Sequence, residues 1–312
     1  MKWWICFLFL FVSLDAGWSV GTLEPVIGLS NIELVQGYNM MAITFKREPI
    51  YSGVIDNITG SILTLENLNE FDSETTESAV RYRENELVET RHYVWVHDSI
   101  EGNKGRFYDI VHNTDTTVTI DSNYGVPDIF DSIHIIPYTT LDYIFEEYED
   151  SIDRDRIHIW THFGWKSYAF RNTQWYTAGT RADQGNTIIR PDQGIVYSRH
   201  SPDSMDLVIA DEVYAYAQIR LPAQNEKHFG NNPYPTNIEM NKLFEEVSGH
   251  FTNDDLLYLW QGTSWEIYQF NTTVNGFVNI LTNELNRELE PHQPYFIIKA
   301  SNTTIYFIKS EL

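Results

Sequence analysis

The chain has 312 residues, with 44 acidic side chains against 21 basic ones and a formal net charge of -23. A field of that sign repels phosphate backbones, and the Lys and Arg residues form no basic stripe, so a nucleic-acid partner is excluded. Cys6 is the single cysteine and lies in an apolar N-terminal run, which removes thiol nucleophiles, thiolate metal sites and disulfide scaffolds from the rest of the chain.

Lys2 precedes an apolar run from Trp3 to Val12, and Gly17-Trp18-Ser19 offers small residues for cleavage before Val20. That layout predicts a secretory signal peptide over residues 1–19, too short for an ordinary spanning helix. Its removal takes away Lys2 and Asp15, so the mature charge is unchanged and no membrane span is expected afterwards. About 290 mature residues, rich in aromatics, can be held by burial alone.

Strand signals dominate the mature chain. Residues 37–45 read as one strand; Val54-Ile55 leads through the turn Asn57-Ile58-Thr59-Gly60 to a strand at 61–65. Residues 69–89 are acidic and poor in periodic apolar positions, as expected of an exposed loop or insertion. Pairing resumes at 92–96. Residues 105–111 and 116–120 form a hairpin around Asn113-Thr114-Asp115, and 131–136 closes the set. Five or six short strands in this interval predict a small antiparallel barrel.

Two short helices come next. Thr139 opens the first, with Leu141, Ile144 and Phe145 on one face. Pro235 and Thr236, with Glu239 three residues on, read as a capping box for the second, whose apolar stripe is Ile238, Leu243 and Phe244. A strand at 213–219 precedes the second helix.

Residues 154–199 recur at 254–299 with shared residues displaced by one hundred positions. The pairs are Asp155/Asp255, Trp160/Trp260, Trp165/Trp265, Tyr168/Tyr268, Phe170/Phe270, Thr173/Thr273, Asn186/Asn286, Pro191/Pro291 and Gln193/Gln293. Ile144-Phe145-Glu146-Glu147 against Leu243-Phe244-Glu245-Glu246 extends the match upstream. The expected fold is therefore mostly β: an internally duplicated body of strand, short helix and several strands per copy, with the barrel inserted in the first. The corresponding division is signal peptide 1–19, first copy 20–49 and 137–204, inserted barrel 50–136, and second copy 205–312.

The phrases Gly37-Tyr38-Asn39-Met40, Gly105 through Thr114, Thr140-Leu141 and Pro191-Asp192-Gln193-Gly194 resemble an uncharacterised family of secreted proteins abundant in Verrucomicrobia and related bacteria. Many of its members carry a C-terminal sorting tail of the PEP type. The resemblance implies secretion but no activity, ligand or catalytic residue. The chain departs from that family by ending in Lys309-Ser310-Glu311-Leu312, which favours release over anchoring. In a bacterial setting, that ending and the Asn-x-Thr triplets at Asn57, Asn271 and Asn302 read as coincidence.

Catalytic signatures are missing from the sequence: no Gly-x-Ser-x-Gly elbow, no His-Glu-x-x-His helix, no Walker loop and no dinucleotide fingerprint. Glycoside hydrolysis stays open, since two carboxylates leave no local signature. His158 and His162 lie four apart, about 13 Å along a strand, too far to share a metal. Glu146, Glu147, Glu149, Asp150, Asp153 and Asp155 offer oxygens for calcium without the order of a dedicated loop; a hydrated surface explains them as well. Otherwise no cofactor is expected.

Trp160, Trp165, Trp175, Trp260 and Trp265 present flat faces suited to sugar rings or to packing between sheets. Trp165/Trp265, Tyr168/Tyr268 and Phe170/Phe270 recur with the fold and are assigned to packing. Trp175, facing Asn275 in the alignment, is the candidate exposed ligand contact. The expected function is a secreted, non-catalytic structural or carbohydrate-interacting component with a polysaccharide or envelope partner. The alternative is a glycan-acting hydrolase using Asp and Glu in a cleft between the repeats.

Overall fold

The computed structural model describes residues 27–65, 92–99, 103–114, 116–122, 125–161, 164–177, 180, 182–213, 216–222, 226–234, 236–262, 264–285, 287–291, 293–300 and 305–310. The expected signal peptide, Cys6, the acidic run 69–89, His162, Pro235, Asn286 and Asn302 lie outside them. The chain is mostly β and contains a closed six-stranded antiparallel barrel.

Strands β1 (Ile27–Leu34), β2 (Gly37–Ala42) and β3 (Phe45–Lys46) open the chain. The barrel strands are β4 (Tyr51–Thr59), β5 (Ile62–Leu65), β6 (His92–Asp98), β7 (Phe107–Asn113), β8 (Thr117–Ile120) and β9 (Ser132–Pro137), closed in the order β4-β5-β8-β7-β6-β9. Ile55, Leu63, Val94, Val96, Ile110, Val118, Ile133 and Ile135 fill its interior. Strand alternation sends Tyr93 and Trp95 of β6 the other way, into a core shared with the C-terminal half. Both faces of β6 are therefore buried, and the barrel is packed onto the body.

Next come β10 (Thr139–Thr140) and helix α1 (Leu141–Phe145). The cap is Thr140 and not Thr139: its hydroxyl accepts the Tyr143 N–H at 3.3 Å. Strands β11 (Arg156–Thr161), β12 (Gly164–Arg171), β13 (Gln174–Thr177), β14 (Ile188–Ile189), β15 (Gly194–Arg199) and β16 (Met205–Val213) complete the first half. The second half runs β17 (Tyr216–Leu221), β18 (Lys227–Asn231), β19 (Ile238–Glu239), α2 (Met240–Leu243), β20 (Leu256–Trp260), β21 (Trp265–Asn271), β22 (Gly276–Asn279), β23 (Glu288–Leu289), β24 (Pro294–Ile298) and β25 (Ile305–Ser310). Helix α2 starts one turn later than the Thr236 box predicts, because Ile238 and Glu239 pair with β23 first. Glu239 caps it without a side-chain hydrogen bond.

The two halves share strand order and register. One sheet is β13-β12-β11-β15-β2 and the other β22-β21-β20-β24-β18. Trp160 faces Trp165 and Ile157 faces Tyr168 in the first; Trp260 faces Trp265 and Leu257 faces Tyr268 in the second. The ribbon β1-β16 has its counterpart in β17-β25, and β10-β14 in β19-β23. Descent of both halves from one duplicated unit stays a proposal.

Two sequence assignments change place. The edge position held by β2 is filled in the second half by β18, whereas the strand expected at 213–219 falls largely in β17, which pairs with β25. Strand β16, assigned from sequence to the second copy, pairs with β1 and puts Met205, Leu207 and Ile209 into the first core. Alternation along a strand reveals which residues turn inward but not which partner strand receives them.

Each sheet buries its inner face against its own helix: Ile157, Ile159, Tyr168 and Phe170 against Leu141, Ile144 and Phe145, and Leu257, Leu259, Tyr268 and Phe270 against Met240, Leu243 and Phe244. Between the halves the contacts are reciprocal, β2 with β24 and β15 with β18, as in an isologous pair. Gly194 sits at that crossing. A Cβ there would lie 2.8 Å from Phe229 and 2.9 Å from Pro294, so only glycine permits the approach.

Candidate functional site

The tryptophans divide in a way the sequence does not reveal. Trp175, the candidate exposed contact, is 0% exposed, wedged between Phe145 and Phe170 at ring separations of 5.5 and 5.1 Å. Its reading as a surface contact is corrected: it is a core residue. The alignment misleads because the hairpin loops differ in length. Asn172 and Thr173, both with positive φ, join β12 to β13, whereas Thr272 to Asn275 join β21 to β22. Trp175 faces Phe170 and Phe277 faces Phe270, so Phe277 is the structural counterpart of Trp175, and both are fully buried.

Trp165 and Trp265, assigned from sequence to packing, are 46% and 40% exposed. Full burial is therefore corrected to half-exposure, although Trp165 also packs against Phe229 at 5.4 Å, while Tyr168, Tyr268, Phe170 and Phe270 are buried as expected. Each exposed ring is braced edge-on by the facing tryptophan, Trp160 at 5.2 Å and Trp260 at 5.3 Å. Trp160 is fixed in turn: its indole N–H donates to the Lys227 carbonyl at 2.9 Å, and its own carbonyl accepts from Gln193. Such bracing gives a rigid platform with little side-chain entropy left to lose on contact.

Around Trp165 lies the outer face of the first sheet. Register places Tyr176, Ala169, Arg156, Ser198 and Tyr38 in one row across its five strands. The next row carries Ser167 and His158. His158 Nδ1 lies 2.7 Å from the Ser167 hydroxyl, and among the described residues Nε2 has no hydrogen-bond partner. Burial, then the Arg156 charge, lowers the His158 pKa, so the ring is neutral near neutral pH.

Asp155 and Asp255 are buried and matched, and they hold the fold. Asp155 accepts from Tyr197 Oη at 2.5 Å, Arg199 at 3.1 Å and the His200 N–H at 2.5 Å. Asp255 accepts the Thr252 N–H at 2.8 Å and the Ala300 N–H at 2.5 Å. Each stands immediately before a strand, β11 or β20. The other acids of the 146–155 cluster are not gathered about a centre: Glu146, Glu147, Asp150 and Asp153 are exposed. Among the described residues no three metal-type side chains stand close enough to hold an ion. Asp142, on α1, is the acid whose environment is most unusual. Burial, then Asp183, Glu149 and Glu146, raise its pKa to about 6.

A second cluster, invisible in the sequence, lies where the barrel meets the body. His97 and His134 stack at 4.7 Å, and each lies within 6 Å of Trp95. Lys46 Nζ stands 5.1 Å over the Trp95 ring from the opposite element. Burial, then His97 and Lys46, pushes His134 down to about 3; burial takes Lys46 down to about 8 against the pull of Asp211. Nearby, Arg190 grips Asp109 of the barrel through two hydrogen bonds of 2.8 and 2.7 Å, and the Tyr138 hydroxyl donates to the same carboxylate. Residues 46, 95 and 134 belong to three strands, so no local pattern points to their meeting.

Comparison with known proteins gives no match: no family model, no curated protein and no solved structure is similar to this chain.

Proposed function

We propose that this chain is a secreted, acidic, non-catalytic component of an extracellular or envelope layer that contacts polysaccharide through its exposed tryptophans. The observation behind this reading is the matched pair Trp165 and Trp265. They are half-exposed on equivalent hairpins, and each is held edge-on by a second tryptophan. An indole kept in water at two matched positions, while its neighbours on the inner face of the same strand are buried, is suited to stacking on the apolar face of a sugar ring. The resemblance to secreted Verrucomicrobial proteins belongs to the same reading.

The hydrolase alternative needs two carboxylates converging between the halves. The described junction is built instead from Trp160, Trp165, Phe229, Phe296, Gly194 and Pro294. A polysaccharide-retention screen of the purified protein, run with calcium and with chelator, tests the proposal. Retention that falls in W165A and W265A without release of reducing ends supports it. Release of reducing ends at a rate insensitive to both substitutions refutes it in favour of hydrolysis.

A further inference from the structure

We propose that the outer face of the first sheet, centred on Arg156 and Tyr38, is a binding site for an anionic polysaccharide, one bearing carboxylate or sulfate groups. It rests on the polysaccharide reading above and names the class of glycan. Charge is the first support. In a protein of net charge -23, the described strands of this sheet bring no Asp or Glu to the outer face, where Arg156 and Arg171 are both exposed. Within the negative field of the whole molecule, an anion reaching this face meets guanidinium groups, which bind carboxylate or sulfate oxygens in a bidentate manner.

Shape is the second support. The row from Tyr176 to Tyr38 crosses five strands, about 19 Å at the usual strand spacing, with a small Ala169 beside the arginine and a tyrosine at each end. Tyr38 is 64% exposed. Its ring lies 6.1 Å from that of His158 on the same face. This composition is not imposed by the fold. The corresponding row of the second half reads Val278, Gln269, Leu256, Ile298 and Lys227, mostly apolar on the same backbone. Each row carries one basic residue, Arg156 or Lys227, and the serine and two tyrosines that accompany Arg156 belong to the first half alone.

The test measures retention of the purified full-length chain on polygalacturonate, dextran sulfate, neutral dextran and cellulose, and polyglutamate, at low and high salt. Binding to the two anionic glycans that weakens with salt, and falls roughly tenfold in R156A/R171A and measurably in Y38A, is the expected result. K104A, which removes a basic side chain on the barrel, leaves it unchanged, and circular dichroism verifies that every variant is folded. Equal retention on neutral and anionic glycans, insensitive to R156A/R171A, overturns this proposal while the broader polysaccharide reading stands. Retention on polyglutamate as strong as on the glycans also overturns it, since the face would then select charge and not sugar. Retention on no glycan at all removes both readings.

Discussion

Replacing Asp155 by alanine separates a buried structural anion from an ordinary surface acid. Asp155 is 0% exposed and the Arg199 side chain 4%, so the substitution leaves a guanidinium group in the core without its counter-charge. Arg199 keeps two carbonyl acceptors, Asp203 at 2.6 Å and Ser151 at 3.3 Å, which take two of its five N–H groups and leave its charge unbalanced. The Tyr197 hydroxyl and the His200 N–H lose an acceptor as well. Removing one member of a buried ion pair costs roughly 3–5 kcal/mol, a large part of the about 5–15 kcal/mol that holds a typical folded protein together. Urea unfolding followed by tryptophan fluorescence should show that loss in D155A. The double variant D155A/R199M should recover part of it, because the stranded charge is then gone. The exposed pair Lys104 and Asp98, 3.3 Å apart, supplies the comparison: K104A should change stability by no more than about 0.5 kcal/mol. A D155A loss below about 1 kcal/mol, or a double variant weaker than D155A, would refute the assignment of Asp155 as an internal tie.

The packing of Trp175 and of His134 sets two further outcomes. W175A should destabilise by about 3–5 kcal/mol, the usual cost of emptying a buried aromatic site, whereas W165A should stay within about 1 kcal/mol; equal losses in chemical denaturation would contradict the division between core and platform. His134 makes the seam between barrel and body sensitive to acid. Its folded pKa of about 3 lies below the usual 6.5, so the folded state binds fewer protons. The associated stability is complete above pH 6.5 and is lost as pH falls towards 3. By linkage the loss at pH 5 is about 2 kcal/mol, and the His97 shift adds to it in the same direction. Thermal melts from about pH 8 to about pH 4 should show an acid limb that flattens in H134F; an unchanged limb would place the acid sensitivity elsewhere.

Much of the architecture is legible in the residue pattern, because burial obeys a local rule. The alternation of Ile157 and Ile159, matched by Leu257 and Leu259, marks inward-facing positions wherever the sheet lies, and the short barrel strands reveal themselves through their turns. The two errors on tryptophan have separate causes. A constant displacement of one hundred fails across a hairpin loop two residues longer, and this moves the partner of Trp175 from Asn275 to Phe277. Strand parity decides the other: Trp165 falls on the outer side of β12 while Tyr168 and Phe170 fall on the inner.

The sequence by itself determined the charge, the absence of thiol chemistry after the first residues, the β-rich composition and the matched phrases that recur as matched strands. These are properties of composition and of short-range periodicity, which survive whatever the chain does at long range. Only the tertiary structure decided which tryptophans are buried, that β16 joins the first core, that Lys46 meets Trp95 and the two histidines, and that Tyr38 and Arg156 share a row. Each depends on which strand lies beside which, and a pairing between segments distant in the chain is fixed by the whole core and not by the segments that meet.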